Sequence, residues 1–403
     1  MTTLPVHAAL QRSGAGAEPS VRGGRRLAAY LLVPRPKDLV KAVVVPLTFA
    51  VGVAADGRTS AGELLRAVLV WGVLELLVYQ ARYQWNDIRG FAADQAHPDA
   101  ASRGRLPGPV ERGRAHIAAS LTVLGLRLGL TAAVAVLVPD LAGVLVLMTI
   151  GVFGVALVYE RLRSAATGRA EQVPVPLRPA LIGVWVVVGA GYAVRGLTGL
   201  GLAVELDGRP ALVVASACAM WALGVVFVTC RWTLEAMPFG AVRRGRMVWQ
   251  VRSGQAREHT LGLVRWLPSD ASGAGSDPCT WRGLQGATPL HAPWHLALVV
   301  AAASAALAGR LLVGAQALPA GALTVAAGAA VALVVAAAPG RRLGTGTALS
   351  LALVALQAAL GTPRPLVAVL PVVVVLTAYG CFTRQCADEV GKPLRRLRQS
   401  RRR

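Results

Sequence analysis

Long apolar runs recur along almost the whole chain, and this constrains its fold more than any other feature. They cover roughly 38–56, 62–84, 115–138, 140–160, 178–203, 209–230, 293–315, 318–339, 344–361 and 364–382. A run of about 18–25 residues is what a helix needs to cross roughly 30 Å of hydrocarbon. Inside lipid the backbone must satisfy its own hydrogen bonds, and Ala, Leu and Val build helices that do so. Alternating strands of about ten residues, the mark of a membrane β-barrel, are absent. Only 15% of residues are charged, against about 25% in a soluble domain. The pattern predicts an all-α, polytopic membrane bundle of nine or ten transmembrane helices in contact with a lipid bilayer.

The formal net charge is +22. In a soluble protein that would suggest nucleic acid. Here the arginines sit in loops and tails, without interleaved aromatic rings, so no nucleic-acid partner is expected. Alternate loops hold most of them: Arg89 to Arg114, Arg161 to Arg169, Arg231 to Arg282, and Arg341 with Arg342. By the positive-inside rule these loops and both termini are cytoplasmic. The expected organisation is a disordered basic cytoplasmic arm at 1–35, a transmembrane domain at 36–383 with long cytoplasmic loops at 85–114 and 231–292, and a basic cytoplasmic tail at 384–403. No cleavable signal peptide is read in the first residues. The stretch Ser269 to Ser276 is expected to be flexible. Lys occurs only at 37, 41 and 392, and the five cysteines show neither zinc nor disulfide spacing.

The second apolar run ends in a polar stripe. Glu75, Tyr79, Arg82 and Asn86 recur at helical spacing and share one face, which lipid cannot cover cheaply. The stripe reads as a cavity wall or as an interhelical hydrogen-bond seam. It leads into Asn86-Asp87-Ile88-Arg89-Gly90-Phe91-Ala92-Ala93-Asp94. If the helix continues, Asn86, Asp87 and Asp94 fall on one side, a set of hard oxygen donors suited to Mg²⁺ beside phosphate oxygens. Arg103 and Arg105 follow, and guanidinium forks match phosphate oxygens. The choice is between a metal–diphosphate site and a solvated loop with ordinary surface charge.

Tyr83 to Gly108 resembles the first signature of the UbiA-type intramembrane prenyltransferase superfamily, N-D-x-x-D-x-x-x-D after the second span with a trailing Arg-Pro-type segment ending in Gly. Asn86, Asp87 and Asp94 match, Gly90 replaces the middle Asp, and Arg105-Leu106-Pro107-Gly108 is similar to the trailing segment. Tyr159-Glu160-Arg161-Leu162-Arg163, at the end of the fourth span, is similar to the family's Tyr followed by a basic diphosphate contact. The resemblance covers roughly residues 35 to 315. It implies a UbiA-like bundle with a cavity open to the cytoplasmic side, which ionises an isoprenyl diphosphate and transfers the prenyl group to an unknown acceptor. Asn86, Asp87 and Asp94 would hold Mg²⁺. Arg82, Arg103, Arg105, Tyr159 and Arg163 would bind the diphosphate.

The chain departs from the family after the sixth span, where a second D-x-x-x-D is expected. Only Glu235 is acidic there, with Arg231 one helical turn before it; Glu258 is a further candidate. Arg231 either neutralises diphosphate in place of a second metal or marks a lost metal site. In the fifth span Tyr192 and Arg195 lie near mid-membrane. An intramembrane Arg is a functional candidate by default, and pairing with Glu75 is the structural alternative. Arg127 in the third span is a similar case. His291 and His295 read as a helix start and not as a zinc site. Two other functions compete: a terpene cyclase on the same scaffold, and a transporter or catalytically degenerate bundle. Against transport stands the absence of an internal repeat and of paired broken helices.

Overall fold

The structure is a computed structural model that describes residues 26–95, 104–166, 173–250, 258–274, 278, 281–316 and 318–401, with side chains as far as Thr383 apart from Lys37, Val110 and Ala274. It is an all-α membrane-type bundle. Among the described residues eight helices are long and apolar enough to cross a membrane: Asp38–Asp56, Gly113–Leu137, Pro139–Ala166, Pro179–Gly201, Pro210–Phe239, Pro293–Leu312, Leu318–Ala336 and Pro365–Thr383.

The expected second and ninth spans are helical but differ from plain apolar rods. The second is three consecutive pieces, α3 (Ala61–Gly72), a π-helical turn (Val73–Val78) and α4 (Tyr79–Arg89). The ninth is α14 (Arg342–Ala359), which opens on Arg342 and carries a buried Gln357. The other principal helices are α2 (Val44–Asp56), α6 (Gly113–Leu137), α7 (Pro139–Ala166), α8 (Pro179–Val187), α9 (Ala190–Gly201), α10 (Pro210–Glu235), α12 (Pro293–Leu312), α13 (Leu318–Ala336) and α15 (Pro365–Arg401).

Helices α10 and α12 form the centre. In their spans 56% and 61% of residues are buried, against 17% for α6, which lies at the rim. α10 packs on α9, α12 and α15, and α12 also on α13. Apolar burial cannot draw helices together inside lipid, so close backbone approach matters more there. Gly309 of α12 lies against the backbone of Ala368 in α15, and Gly199 of α9 lies against Thr48 and the Val45 carbonyl of α2. A Cβ at either position would collide with backbone.

Two spans are irregular. The fifth is interrupted between α8 and α9 around Val188–Gly189, and the second carries the π turn. Neighbours satisfy the loosened backbone, as irregular membrane helices require. Trp221 Nε1 donates to the Val186 carbonyl at 2.8 Å, Tyr79 Oη to the Gly191 carbonyl at 2.7 Å, and Gln80 Nε2 to the Glu75 carbonyl at 2.9 Å.

One expectation is corrected. Residues 26–35, placed in a disordered arm, are structured: α1 (Leu27–Leu32) docks on α6. Tyr30 is fully buried there with Phe91 and Leu106. Part of the stretch from Ser269 to Ser276 is described, and it carries hydrogen bonds to its surroundings. Trp281 Nε1 donates to the Asp270 carbonyl at 2.9 Å, and the Met247 amide to the Ser269 carbonyl at 2.8 Å. The anchor is a hairpin of β1 (Gly240–Arg243) and β2 (Arg246–Trp249). The short helix α11 (Glu258–Leu261) sits against α7, α8 and α10.

Candidate functional site

One end of the bundle gathers charge from separate parts of the chain. The segment before the first span brings Tyr30, Arg35, Asp38 and Lys41. α4 brings Arg82, Asn86 and Asp87, the loop after it Arg105, α7 Tyr159, Glu160 and Arg163, and α10 Glu235.

Asp87 is the hub. It is fully buried and accepts from Arg35 Nε at 3.1 Å, Arg105 Nη1 at 3.0 Å and Tyr30 Oη at 3.2 Å. Arg35 Nη2 also donates to it. Burial works against the charge on both Arg35 and Arg105, and Arg35 works against that on Arg105, but the neighbouring carboxylates together, Asp87 first among them, outweigh this and hold both above the usual arginine range. Arg105 also feels Asp94 and Glu235. With its amide turned to satisfy both neighbours, Asn86 donates to Glu160 and accepts from Arg35.

Glu160 organises the second layer. It accepts from Arg163 Nη2 at 2.6 Å and lies 3.6 Å from Arg89 Nε. The guanidinium of Arg82 stands over the rings of Tyr83 and Tyr159, 5.5 and 5.8 Å from their centroids, and Arg163 over Tyr159 at 5.7 Å. Lys41, paired with Asp38 at 2.7 Å, points its ammonium between Tyr83 and Phe227, 5.8 and 5.7 Å from the centroids. Phe227 in turn meets Tyr192 and Phe382. A cationic rim thus sits on an aromatic floor.

Helix α4 does not run on unbroken to Asp94. It ends at Gly90, and α5 (Phe91–Gln95) follows. A Cβ on Gly90 would lie 3.2 Å from the Asn86 carbonyl and 3.3 Å from Asp94 Oδ2. Gly90 therefore gives the buried Asp94 carboxylate its room, which accounts for a glycine where the family pattern has an acid.

The donor set does not fit a resident Mg²⁺ on Asn86, Asp87 and Asp94. Both Asp87 oxygens are engaged by cationic or hydroxyl donors, and the Asn86 oxygen accepts from Arg35. Among the described residues no three His, Cys, Asp or Glu side chains gather closely enough to hold an ion.

The remaining predicted residues distribute as follows. Arg82, Asn86, Asp87, Arg105, Tyr159 and Arg163 meet in one place. Glu235 joins them through Arg105, and Arg231 lies one turn before it, on the last turns of α10. Arg103 lies outside the described residues. Glu258 is buried in α11. Arg195 and Tyr192 are deeper. Arg195 forms a two-pronged pair with Glu75, 2.6 Å from Nε to Oε1 and 2.9 Å from Nη2 to Oε2, and its guanidinium lies flat on Tyr79, 3.2 Å from the centroid. The Tyr192 hydroxyl is buried without a hydrogen-bond partner. Arg127 serves the fold: its Nη2 donates to the Leu31 and Leu32 carbonyls at 2.8 and 2.7 Å, closing the C-terminal end of α1, and its Nη1 donates to Gln84. Both His295 ring nitrogens are occupied, one by the Pro289 carbonyl and one by the Tyr379 hydroxyl, each at 3.0 Å.

Sequence reading missed Arg35, Tyr30, Lys41, Asp38 and Phe227. A signal existed for three of them: Arg35-Pro36-Lys37-Asp38 and Lys41 stand at the mouth of the first apolar run. Glu160 lay inside the Tyr-Glu-Arg-Leu-Arg match without a role.

No family model matches the chain, and no curated protein or solved structure is similar to it.

Proposed function

We propose that this chain is a membrane prenyltransferase that ionises an isoprenyl diphosphate at the cytoplasmic end of the bundle. The observation that carries the reading is the gathering of Arg82, Arg105, Arg163 and Tyr159 at one end of the bundle, where Arg82 stands over the rings of Tyr83 and Tyr159, Arg163 over Tyr159, and Lys41 beside Tyr83 and Phe227. Guanidinium groups suit the oxygens of a diphosphate. Aromatic faces suit the cation left when it departs. In the step, the allylic C–O bond breaks heterolytically and the electron pair leaves with diphosphate, whose growing charge fixed cations stabilise. A nucleophilic atom of the acceptor then bonds to the allylic carbon and gives up its proton. Apolar walls keep water from the cation. The resemblance of Tyr83–Gly108 and Tyr159–Arg163 to the UbiA-type signatures supports the same reading, as does the arginine bias that makes this end cytoplasmic.

The test is mass spectrometry on purified protein given isoprenyl diphosphates of several lengths, with and without candidate acceptors. Acceptor-dependent release of diphosphate is the expected result. Release without acceptor, together with a cyclic hydrocarbon or alcohol, makes the protein a cyclase. Absence of release at every chain length overturns the enzyme reading.

Transport is the second reading, favoured by the interrupted fifth span and the π turn of the second. Broken helices often cradle substrates at mid-membrane. Here Trp221, Tyr79 and the Glu75–Arg195 pair fill the break, so the geometry favours the enzyme.

A further inference from the structure

Resting on the diphosphate reading, we infer that Asp87 is a positioning residue for a two-arginine clamp. In this clamp Arg35 and Arg105, not a metal held by Asp87, grip the diphosphate. Three observations carry the inference. First, one buried carboxylate faces two guanidinium groups, with Asp38 3.8 Å from Arg35 and with Asp94 and Glu235 acting on Arg105. Each arginine uses only part of its five N–H donors on Asp87; Arg35 turns a further one to Asn86, and the others can meet phosphate oxygens. Second, the two arginines come from opposite sides of the sequence, one before the first span and one after the second, and Asp87 pairs with both. Third, the segment bearing Arg35 is itself fastened. Tyr30 donates to the same carboxylate, and Arg127 closes the end of α1 through the Leu31 and Leu32 carbonyls. Such fastening presets the guanidinium and lowers the ordering cost of binding. The residues before the first membrane span are thereby part of the site.

The experiment measures binding of inorganic pyrophosphate to the full chain in nanodiscs by calorimetry, in EDTA and in Mg²⁺. The clamp requires binding in EDTA within a few-fold of that in Mg²⁺. In EDTA, Arg35→Gln should lose about tenfold or more, equivalent to about 1.4 kcal/mol. Arg35→Lys should recover only part, because an ammonium lacks the fork. In turnover, Asp87→Asn should raise KM for the isoprenyl diphosphate and leave the Mg²⁺ half-saturation point where it is. Binding that vanishes in EDTA and returns with Mg²⁺, or an Asp87→Asn half-saturation point moved tenfold, would overturn the clamp and leave the diphosphate reading standing. A wild-type protein with a normal unfolding transition and no pyrophosphate binding in either condition would overturn both.

Discussion

The bundle holds two acid–arginine stations, and they are built differently. At mid-bundle, Glu75 and Arg195 meet one to one, with both carboxylate oxygens used, both side chains buried and Tyr79 closing the guanidinium face. At the end of the bundle, Asp87 is shared by Arg35, Arg105 and Tyr30, two guanidinium groups to one carboxylate. A neutral, closed pair offers nothing to a ligand. It pins an irregular second span to a broken fifth one. A carboxylate shared by two guanidinium groups is the station proposed to meet an anion. The way charge is shared, more than depth in the membrane, separates the part that holds the fold from the part proposed to meet substrate.

The largest expected effect breaks the closed station. Arg195→Ala leaves Glu75 buried and unpaired, and losing one partner of such a pair costs about 3–5 kcal/mol. The thermal unfolding midpoint in detergent should fall sharply or the protein should aggregate. A double variant, Glu75→Leu with Arg195→Met, should unfold nearer to wild type than either single change. A double variant as unstable as the singles would mean that the pair contributes more than mutual neutralisation.

Next comes the fastening of α1. Arg127→Ala leaves the Leu31 and Leu32 carbonyls without their donor, at about 1–3 kcal/mol for each buried unsatisfied group. Hydrogen exchange should speed up over residues 27–35 and stay unchanged over α12. Pyrophosphate affinity should fall with it, because Arg35 is carried on the same segment. Faster exchange with unaltered affinity would separate the segment from the site.

The smallest effect concerns Gly90. An added methyl group would press on the Asn86 carbonyl and on Asp94 Oδ2, so Gly90→Ala should cost about 1 kcal/mol, within the usual range for overpacking. Turnover should drop more than stability does, since the strain falls beside Asp94. Equal losses in the two would place Asp94 outside the chemistry.

Much of the site could be read from sequence because helical spacing is a local property. Residues at Glu75, Tyr79, Arg82 and Asn86 must share a face on any helix, and a polar face in an apolar run must turn inward. That reasoning found Arg82 and Asn86, the motif that follows gave Asp87 and Arg105, and the resemblance to the UbiA-type signatures gave Tyr159 and Arg163, all without knowing which helices touch. It also placed Arg195 opposite Glu75 as one of two alternatives. The same reasoning could not find Arg35, whose partner lies 52 residues away, or see that α1 folds back under Arg127. The continuing helix from Asp87 to Asp94 failed at Gly90, where a local break decides the direction of a carboxylate.

By itself the sequence determined that the chain is a polytopic helical membrane protein, since run length and the cost of unpaired backbone in lipid admit few other folds. It also determined which residues carry charge where charge is expensive. Only the tertiary structure decided who shares that charge. A carboxylate flanked by oxygens in sequence reads as a metal ligand, yet its two lone-pair-bearing oxygens bind whatever donors the fold brings within about 3 Å. Here the fold brings Arg35, Arg105 and Tyr30 to Asp87, and no pattern confined to one segment contains that meeting.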